Sequence, residues 1–287
     1  MRASPAASAH CPGRSNSCCA EFLPAARRHA HLPTVPTTAL RVCVIVPVYD
    51  HHKALPRVVH ALRSTGLKCW LVDDGSHAPC AQAVSALCAE NQEWLQRLRL
   101  ERNQGKGAAV FAGLRAAHAA GFTHAVQIDA DLQHDPSRIG EFVAAAERNP
   151  AAVINGVPQY DASVPAVRLH GRRITTVLVW VHTLSRKIAD AMCGFRLYPI
   201  TPAVALDDRV RMGRRMEFDA EIIVRLFWAG VPVVNVKTPV TYPADGVSHF
   251  RMLRDNLRMA WLHVRLLVGM LIHLPRLLPR RLAGKAP

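Results

Sequence analysis

Three short apolar stretches, each ending in aspartate, constrain the fold of this 287-residue chain more than any other feature. They lead into Asp50, into Asp73-Asp74 and into Asp129-Ala130-Asp131. Short apolar runs rich in β-branched residues are typical of strands that are buried on both faces of a parallel sheet. Ligands of open α/β sheets bind beyond the carboxyl ends of such strands. The sequence therefore predicts a group of carboxylates at one edge of a sheet.

Helical patterns separate these strands along the first half of the chain. We predict strands at residues 41–49, 68–72, 98–100, 123–128 and 152–156, and helices at residues 53–64, 81–92, 106–120 and 137–147. Alternation of this kind favours an α/β fold with a Rossmann-like, doubly wound and mostly parallel sheet. In the less regular second half we predict helices at 164–186, 218–229 and 250–274, a loop that enters a strand at 192–198, and β segments at 231–236 and 240–242.

The chain divides into three parts on this pattern. Residues 1–38 have no apolar core and are rich in Ala, Pro, Ser, Arg and His, which predicts a disordered leader or an over-extended gene start, with a transit peptide as the weaker alternative. Residues 39–248 form the predicted sheet domain, and residues 249–287 a basic, amphipathic helical segment. The cysteines of the domain lie in apolar runs without the spacing of a disulfide framework, which favours a reduced, cytoplasmic compartment.

The acidic strand ends predict a cation site. Carboxylates that converge on one edge repel each other, so a bound cation or a set of donors must offset them. The spacing of Asp129 and Asp131 offers hard oxygen ligands to Mg²⁺ or Mn²⁺, and such an ion binds a diphosphate in turn. A solvated acidic turn is the alternative for any single pair. The chain has neither G-x-x-x-x-G-K-[ST] nor a G-x-G-x-x-G after its first strand, which argues against a P-loop triphosphate site.

Four blocks together resemble a known family. V-I-V-P-V-Y-D, V-D-D-G-S, R-N-Q-G-K-G and D-A-D-L-Q-H-D-P follow one another between residues 44 and 136. In this order they are similar to the nucleotide-binding half of glycosyltransferase family 2, and within it to the dolichyl- and polyprenyl-phosphate sugar transferases. The resemblance extends over roughly residues 40 to 250. It implies the GT-A fold and transfer of a sugar from a nucleotide diphosphate donor with inversion at the anomeric carbon.

The resemblance also implies roles for individual residues. The donor would be bound by Pro47, Tyr49, Asp50, Asp73, Asp74, Asn103, Lys106, Asp129 and Ala130. The metal ion would be held by Asp129, Asp131 and Gln133. Gly105 and Gly107 allow close backbone approach, and Lys106 supplies a counter-charge for phosphate, although a Gly-Lys-Gly turn before a helix is also ordinary loop sequence.

Two further segments resemble the catalytic part of that family. Arg196, in Gly-Phe-Arg, would pair with the leaving diphosphate, or else only cap the sheet. Asp219 is the first candidate for a general base and Glu217 the second, and stabilisation of a helix dipole is the alternative role of both acids. A base is needed only for a hydroxyl acceptor, because a phosphate monoester is already anionic at neutral pH. Residues two apart on a helix point in different directions, so these acids should not share one function.

The acceptor side is basic. Arg168, Arg172 and Arg251 are candidate ligands of an anionic, lipid-linked acceptor, and a solvated basic face is the alternative. The preferred acceptor is a polyprenyl phosphate, followed by a lipid hydroxyl. Residues 248–251, Ser-His-Phe-Arg, differ from the Ser-Lys that is usual in the resembled transferases, which leaves the acceptor open.

The formal charge of +15 is compatible with nucleic acid, anionic lipid or phosphorylated substrates as partners. Arginines such as Arg254 and Arg265 recur near helical spacing beside Trp261 and several leucines. This pattern favours an amphipathic helix that lies peripherally on the inner face of the plasma membrane, with a core helix as the alternative. Aromatic residues make up only 6% of the chain and basic-aromatic surface motifs are missing, so we expect no nucleic-acid partner.

Two other functions remain open at this point. A sugar-1-phosphate nucleotidyltransferase would use a related sheet, but its Gly-rich, Arg-containing loop is missing after the first strand. A non-catalytic nucleotide or nucleic-acid binding module would explain the charge without any chemistry.

Overall fold

The computed structural model describes residues 32, 39–161, 164, 166–241 and 251–282, except for the side chains of residues 166–168 and 280. Nearly all of the predicted leader, and Ser248-His-Phe of the predicted acceptor segment, lie outside these residues. The strands are β1 (Val42–Val48), β2 (Lys68–Asp73), β3 (Leu95–Arg99), β4 (His124–Gln127), β5 (Val153–Tyr160), β6 (Arg196–Pro199) and β7 (Val233–Val240). The helices are α1 (Leu55–Arg63), α2 (Ala78–Glu90), α3 (Lys106–Ala119), α4 (Ile139–Arg148), α5 (Ala166–Thr183), α6 (Ile200–Arg209), α7 (Phe218–Trp228) and α8 (Met252–Leu282).

The strands form one seven-stranded sheet in the order β3-β2-β1-β4-β6-β5-β7. β6 runs antiparallel to both of its neighbours, and the other pairs are parallel. The predicted α/β architecture with a mostly parallel sheet is thus confirmed.

Register brings the acidic strand ends to one edge. Val48 at the end of β1 pairs with Asp73 at the end of β2, and Ile45 pairs with Gln127 at the end of β4. The chain therefore leaves these three neighbouring strands on the same side of the sheet. Asp50, Asp74 and Asp129 all follow at that edge, as the sequence predicts.

Alternate residues of β1 pack into two different helical layers. Val44 and Val46 belong to a core with α1, α2 and α4, whereas Cys43 and Ile45 belong to a core with α3, α6 and α7. This alternation is what a parallel strand covered on both faces requires. The cysteines of the domain, Cys43, Cys69, Cys80, Cys88 and Cys193, are buried and free, as predicted for small apolar residues.

A third core joins the last helix to the domain. Leu262 and Leu266 of α8 are fully buried against Val224 and Phe227 of α7 and Val179 of α5. The opposite side of α8 is apolar and exposed, as at Trp261 (57% exposed) and Leu271 (57%). The helix is therefore a core element on one face and an exposed apolar surface on the other. The core interpretation is confirmed for the first face, and the membrane interpretation of the second stays a prediction.

The structure differs from the predicted elements in several places. α6 was not predicted; it starts directly after β6, with Pro202 in its first turn, where the missing amide costs nothing. β3 starts earlier and β5 ends later than predicted. α8 continues past its predicted end through Pro275 and Pro279. Both prolines are exposed, so water can bind the carbonyl groups that lose a helical hydrogen bond.

Candidate active site

Asp74 holds the loop that precedes α3. Its carboxylate accepts hydrogen bonds from the amides of Gln104 (2.7 Å) and Gly105 (2.8 Å). Gly105 has a φ of 102°, a backbone conformation that residues with a side chain rarely adopt, so glycine is required at this turn. Burial raises the pKa of Asp74, and the two amides act in the opposite direction. The carboxylate thus fixes residues 103–107 at the end of β2.

Asp73 and Asp50 shape the adjacent turn. Asp73 is fully buried, accepts a hydrogen bond from the Ser76 amide (2.8 Å) and forms an ion pair with Arg99. Asp50 is half-buried and binds both the amide (2.9 Å) and the ring Nδ1 (2.7 Å) of His77. Sequence reasoning missed His77, which directly follows the V-D-D-G-S block.

The other predicted donor residues line the same edge. Pro47 and Tyr49 are half-buried at the end of β1, and the ring of Tyr49 lies 6.3 Å from that of His77. The side-chain oxygen of Asn103 accepts a hydrogen bond from Arg215 (2.7 Å), and Ala130 is buried. The structure therefore brings all of the predicted donor-binding residues to the edge of the sheet where β1, β2 and β4 end.

Lys106 lies between two carboxylates. Its Nζ is 2.8 Å from Asp129 and 2.7 Å from Asp219, although Asp219 is 113 residues away in sequence. Burial alone would lower the pKa of Lys106, but the two carboxylates outweigh it and raise that pKa. In turn, burial would raise the pKa of Asp129, but Lys106 outweighs it and lowers that pKa. The ammonium group is thus charged at neutral pH, and its partners are carboxylates rather than a phosphate.

Gly194 allows this ion cluster to form. A Cβ atom on Gly194 would lie 2.2 Å from Oδ2 of Asp129 and 2.6 Å from Nζ of Lys106. The Gly-Phe-Arg segment therefore contributes a close backbone approach to the site, which only a residue without a side chain allows.

The Asp129–Asp131 turn offers oxygen ligands. Oδ1 of Asp129 is buried and has no hydrogen-bond partner among the described residues. Burial, and then the nearby Asp129, raise the pKa of Asp131 to about 6, and the backbone amide of Gln133 lies 3.0 Å from its Oδ1. The described part of the chain has no cluster of three or more His, Cys, Asp or Glu side chains suited to a metal. Any metal here would depend on the two aspartates and the side-chain amide of Gln133.

The two candidate bases face different neighbours. Asp219 accepts a hydrogen bond from Nε2 of Gln127 (3.0 Å) in addition to its contact with Lys106. Glu217 is 7% exposed, and its Oε2 is buried without a partner in the described part of the chain. Only Asp219 belongs to the Lys106 cluster, so the helix separates the two acids as expected.

Arg196 requires a correction. Its guanidinium group is fully buried and donates to Oδ1 of Asn155 (2.8 Å), to the carbonyl of Ala191 (2.6 Å) and to the carbonyl of Asp219. These contacts use its donors inside the protein, which argues against the predicted pairing with a diphosphate. Arg196 instead ties β6 to the start of α7, a structural role close to the capping alternative.

Two of the predicted acceptor arginines, Arg172 and Arg251, have different surroundings in the structure. Arg172 forms a bidentate ion pair with Asp190 (2.8 and 3.1 Å) and lies over the ring of Tyr160, so its charge is already balanced. The side chain of Arg168 lies outside the described residues. Arg251 is exposed immediately before α8.

One segment of the site was missed from the sequence. The carbonyl of Arg214 accepts a hydrogen bond from the amide of Gly107 (2.8 Å), and Arg215 binds Asn103. Residues 210–217, between α6 and α7, thus pack on the loop that Asp74 holds. The basic run before Glu217-Phe-Asp219 was a signal that could have pointed to this segment.

Comparison with known proteins agrees with this geometry. The family model for glycosyl transferase family 2 matches residues 43–204, more than half of the chain. An undecaprenyl-phosphate 4-deoxy-4-formamido-L-arabinose transferase from Salmonella paratyphi B is 30% identical over 165 residues, which is 55% of this chain and 48% of the relative. The chain therefore spans about half the length of the curated relatives it matches.

Solved structures share the fold. Glucosyl-3-phosphoglycerate synthase from Mycobacterium tuberculosis aligns with a TM-score of 0.58 at 12% identity, covering 82% of this chain and 80% of the synthase. A mannosyltransferase from Pyrobaculum calidifontis, solved with GDP-Man and Mn²⁺, aligns with a TM-score of 0.53 at 17% identity, covering 89% of this chain and 78% of the mannosyltransferase. With the sheet, the acidic edge and the matched family model, the chain belongs to glycosyl transferase family 2 and contains a glycosyltransferase domain of the GT-A fold.

Proposed function

We propose that this protein transfers a sugar from a nucleotide diphosphate donor to a lipid-linked acceptor, with inversion at the anomeric carbon. The preferred acceptor is a polyprenyl phosphate, and a lipid hydroxyl is the next candidate. The observation that carries this proposal is the cluster of Asp129, Lys106 and Asp219 at the carboxyl edge of the sheet. Through residues 104–106 it is continuous with the loop held by Asp74, so the same edge of the sheet carries the oxygen ligands and the loop that would meet the nucleotide.

Asp129, Asp131 and Gln133 would hold the divalent ion, Mg²⁺ or Mn²⁺. Oδ1 of Asp129 fits this role, because it is buried and lacks a protein donor among the described residues. Oxygen atoms of carboxylate and amide groups are also the ligands that these ions prefer. When bound, the ion would neutralise charge on the departing diphosphate. The relative solved with GDP-Man and Mn²⁺ has the same fold, which supports this assignment.

Donor contacts would come from the edge that is formed by β1, β2 and the loop before α3. Asp50, Tyr49 and Pro47 would face the nucleoside, and Asn103 would lie beside the diphosphate. Asp73 and Asp74 would act indirectly, by fixing the turns that carry these residues. Lys106 would orient Asp129 rather than bind phosphate, since both carboxylates already surround its ammonium group.

The state of Asp219 favours an anionic acceptor. Both carboxylate oxygens of Asp219 already accept hydrogen bonds, Oδ2 from Lys106 and Oδ1 from Gln127, so neither is left free for the proton of an acceptor hydroxyl. A phosphate oxygen needs no deprotonation, so it can attack the anomeric carbon without a strong base. A hydroxyl acceptor would require Asp219, or Glu217 as the second candidate, to take its proton. The undecaprenyl-phosphate transferase among the relatives supports the phosphate.

We place the acceptor lipid at α8. The neighbouring helices α5 and α8 both expose large apolar side chains, the kind of surface that marks an interaction site when it is contiguous: Ile174, Val177, Val181, Leu257, Trp261, Val264, Val268, Leu271 and Ile272. Among the described helices, α8 alone is long and apolar enough to cross a bilayer, a property it shares with core helices of soluble proteins. Because its other face is buried in the domain, we favour a peripheral position on the inner leaflet, with Arg168 and Arg251 as candidate acceptor contacts and Arg172 held back by its ion pair with Asp190.

The test offers the purified protein a panel of UDP- and GDP-sugars with Mn²⁺ and either undecaprenyl phosphate or a membrane extract. We expect release of a nucleoside diphosphate and a product of inverted configuration by NMR. Asp131→Ala should abolish turnover, whereas Asp208→Ala, which removes an exposed carboxylate on α6, should not. Normal turnover by Asp131→Ala would refute the metal assignment. Consumption of a nucleoside triphosphate would instead identify a nucleotidyltransferase.

A further inference from the structure

The carboxylate of Glu221 joins three separate segments of the protein. It is fully buried in α7. One oxygen binds Arg225 of the same helix (2.7 Å), and the other accepts hydrogen bonds from Arg265 of α8 (2.8 Å) and from the amide of Gly213 (2.8 Å). A single buried group thus links the last helix to the segment 210–217.

The segment 210–217 lies against the loop that carries Lys106. The amide of Gly107 donates to the carbonyl of Arg214 at 2.8 Å. A Cβ atom on Gly105 would lie 2.3 Å from that same carbonyl oxygen, which shows how closely the two backbones approach. Movement of the segment at Gly213 would therefore be felt at residues 103–107, and with them at Lys106 and Asp74.

Arg265 departs from the role that its sequence pattern indicates. Helical spacing placed it with the basic residues on the outer side of α8, but it turns inward between Leu262 and Leu266, and its side chain is only 28% exposed. Its Nε is buried without a partner among the described residues. An arginine in this position links α8 to Glu221 and points toward the domain rather than away from it.

We propose that Glu221 and Arg265 are positioning residues that couple the position of α8 to the conformation of the donor-binding loop, residues 103–107. With both in place, α8 holds segment 210–217 through Gly213, and the segment holds residues 103–107 in the conformation that Asp74 and Lys106 require. Displacement of α8 lowers donor affinity without any change in a residue that contacts the donor. The part of this inference that concerns the donor rests on the proposed function.

The matched pair of variants is Arg265→Gln and Arg258→Gln. Both remove an arginine from α8, but Arg258 pairs only within the helix, with Asp255 (2.9 Å), among the contacts that the structure describes. Two quantities are measured: hydrogen exchange of peptides covering residues 103–110 and 210–217, and the dissociation constants of UDP and GDP with Mn²⁺. Arg265→Gln should speed exchange in both peptides and weaken nucleotide binding by up to roughly tenfold, because the coupling can transmit no more than the strength of the one charged hydrogen bond that is lost. Arg258→Gln should leave both quantities at the wild-type level.

Equal exchange and equal affinity in the two variants would overturn the coupling. If Arg265→Gln does not fold, Arg265→Lys keeps a cation beside Glu221 and should give an intermediate effect in the same assays. A purely structural role would lower the melting temperature and leave the affinity of the folded protein unchanged, which also overturns the proposal. If the wild type binds neither UDP nor GDP, the proposed donor is wrong, and hydrogen exchange still decides the coupling between α8 and the loop.

Discussion

Replacing Gly194 with alanine tests the centre of the site without removing a charged group. The new methyl would lie 2.2 Å from Oδ2 of Asp129 and 2.6 Å from Nζ of Lys106. Carbon contacts in proteins are comfortable only near ~3.5 Å, so Asp129 must move by about 1 Å. Gly194 is not among the residues with positive φ, so its backbone can accept alanine without strain. The effect is therefore purely a displacement of the ion cluster.

The size of the effect follows from this displacement. A misplacement of about 1 Å at a reacting centre can lower the rate by ~10²-fold. Overpacking a filled site costs typically ~1–3 kcal/mol of stability, which for a domain of this size lowers the melting temperature by ~2–4 °C per kcal/mol. We therefore expect Gly194→Ala to remain folded at 25 °C while kcat/KM for nucleoside diphosphate release falls about a hundredfold.

Gly140→Ala is the matched control. Gly140 lies in α4, and nothing lies within 4 Å of a Cβ atom built there. Alanine in place of an exposed helical glycine should stabilise the protein by up to ~1 kcal/mol and leave turnover unchanged. Wild-type kcat/KM and wild-type Mn²⁺ affinity in Gly194→Ala would show that the position of Asp129 does not matter, and would refute the reasoning about the ion cluster.

Three further predictions address the metal, the helix interface and the membrane. Mn²⁺ affinity, measured by calorimetric titration, should fall below pH 6, because burial raises the pKa of Asp131 to about 6 and protons then compete with the ion for this carboxylate. Asp131→Asn should lose this pH dependence, and an equal wild-type affinity at pH 5 and 7 would contradict the prediction. Burial lowers the pKa of His182 to about 4 beside His263 (3.2 Å), so as the pH falls the unfolded chain binds a proton at His182 before the folded chain does, and the free energy of unfolding should decline between pH 6.5 and 4. His182→Gln should flatten this decline in denaturant titrations, and a decline as steep as that of the wild type would exclude His182 as its source. Trp261→Asp, at a residue 57% exposed, should reduce flotation with anionic vesicles and leave nucleotide binding intact; unchanged flotation would contradict the membrane-facing role of this surface.

The acidic edge could be predicted from the sequence because it depends on local patterns. A continuous apolar strand fixes where the chain leaves a parallel sheet, and an aspartate directly after it must lie at that edge. Asp50, Asp74 and Asp129 obey this rule, and the pairing of Val48 with Asp73 shows that their strands end in register. α6 escaped prediction because its proline and two adjacent aspartates resemble loop sequence, whereas tertiary packing against α3 decides its conformation.

The partners of charged residues could not be predicted, because they come from distant parts of the chain. Lys106 meets Asp219 across 113 residues, Arg265 meets Glu221 across 44, and Arg196 meets Asn155 across 41. Spacing identifies which side chains carry charge, but not which charges are balanced once the chain is folded. For this reason Arg196 and Arg265, read from the sequence as groups available to a ligand or a membrane, prove to be internal links.

The balance of charge in the cluster supports the proposal of a divalent ion at this site. Lys106 supplies one positive charge, and Asp129, Asp131 and Asp219 supply three negative charges when all are ionised, so two negative charges remain in half-buried surroundings. Uncompensated buried charge is costly, and proteins relieve it by binding a proton or a cation. The pKa of Asp131, which is raised to about 6, corresponds to the binding of a proton. A divalent ion would balance the remaining charge completely, which is why competition between protons and Mn²⁺ at Asp131 tests the origin of the site as well as its ligands.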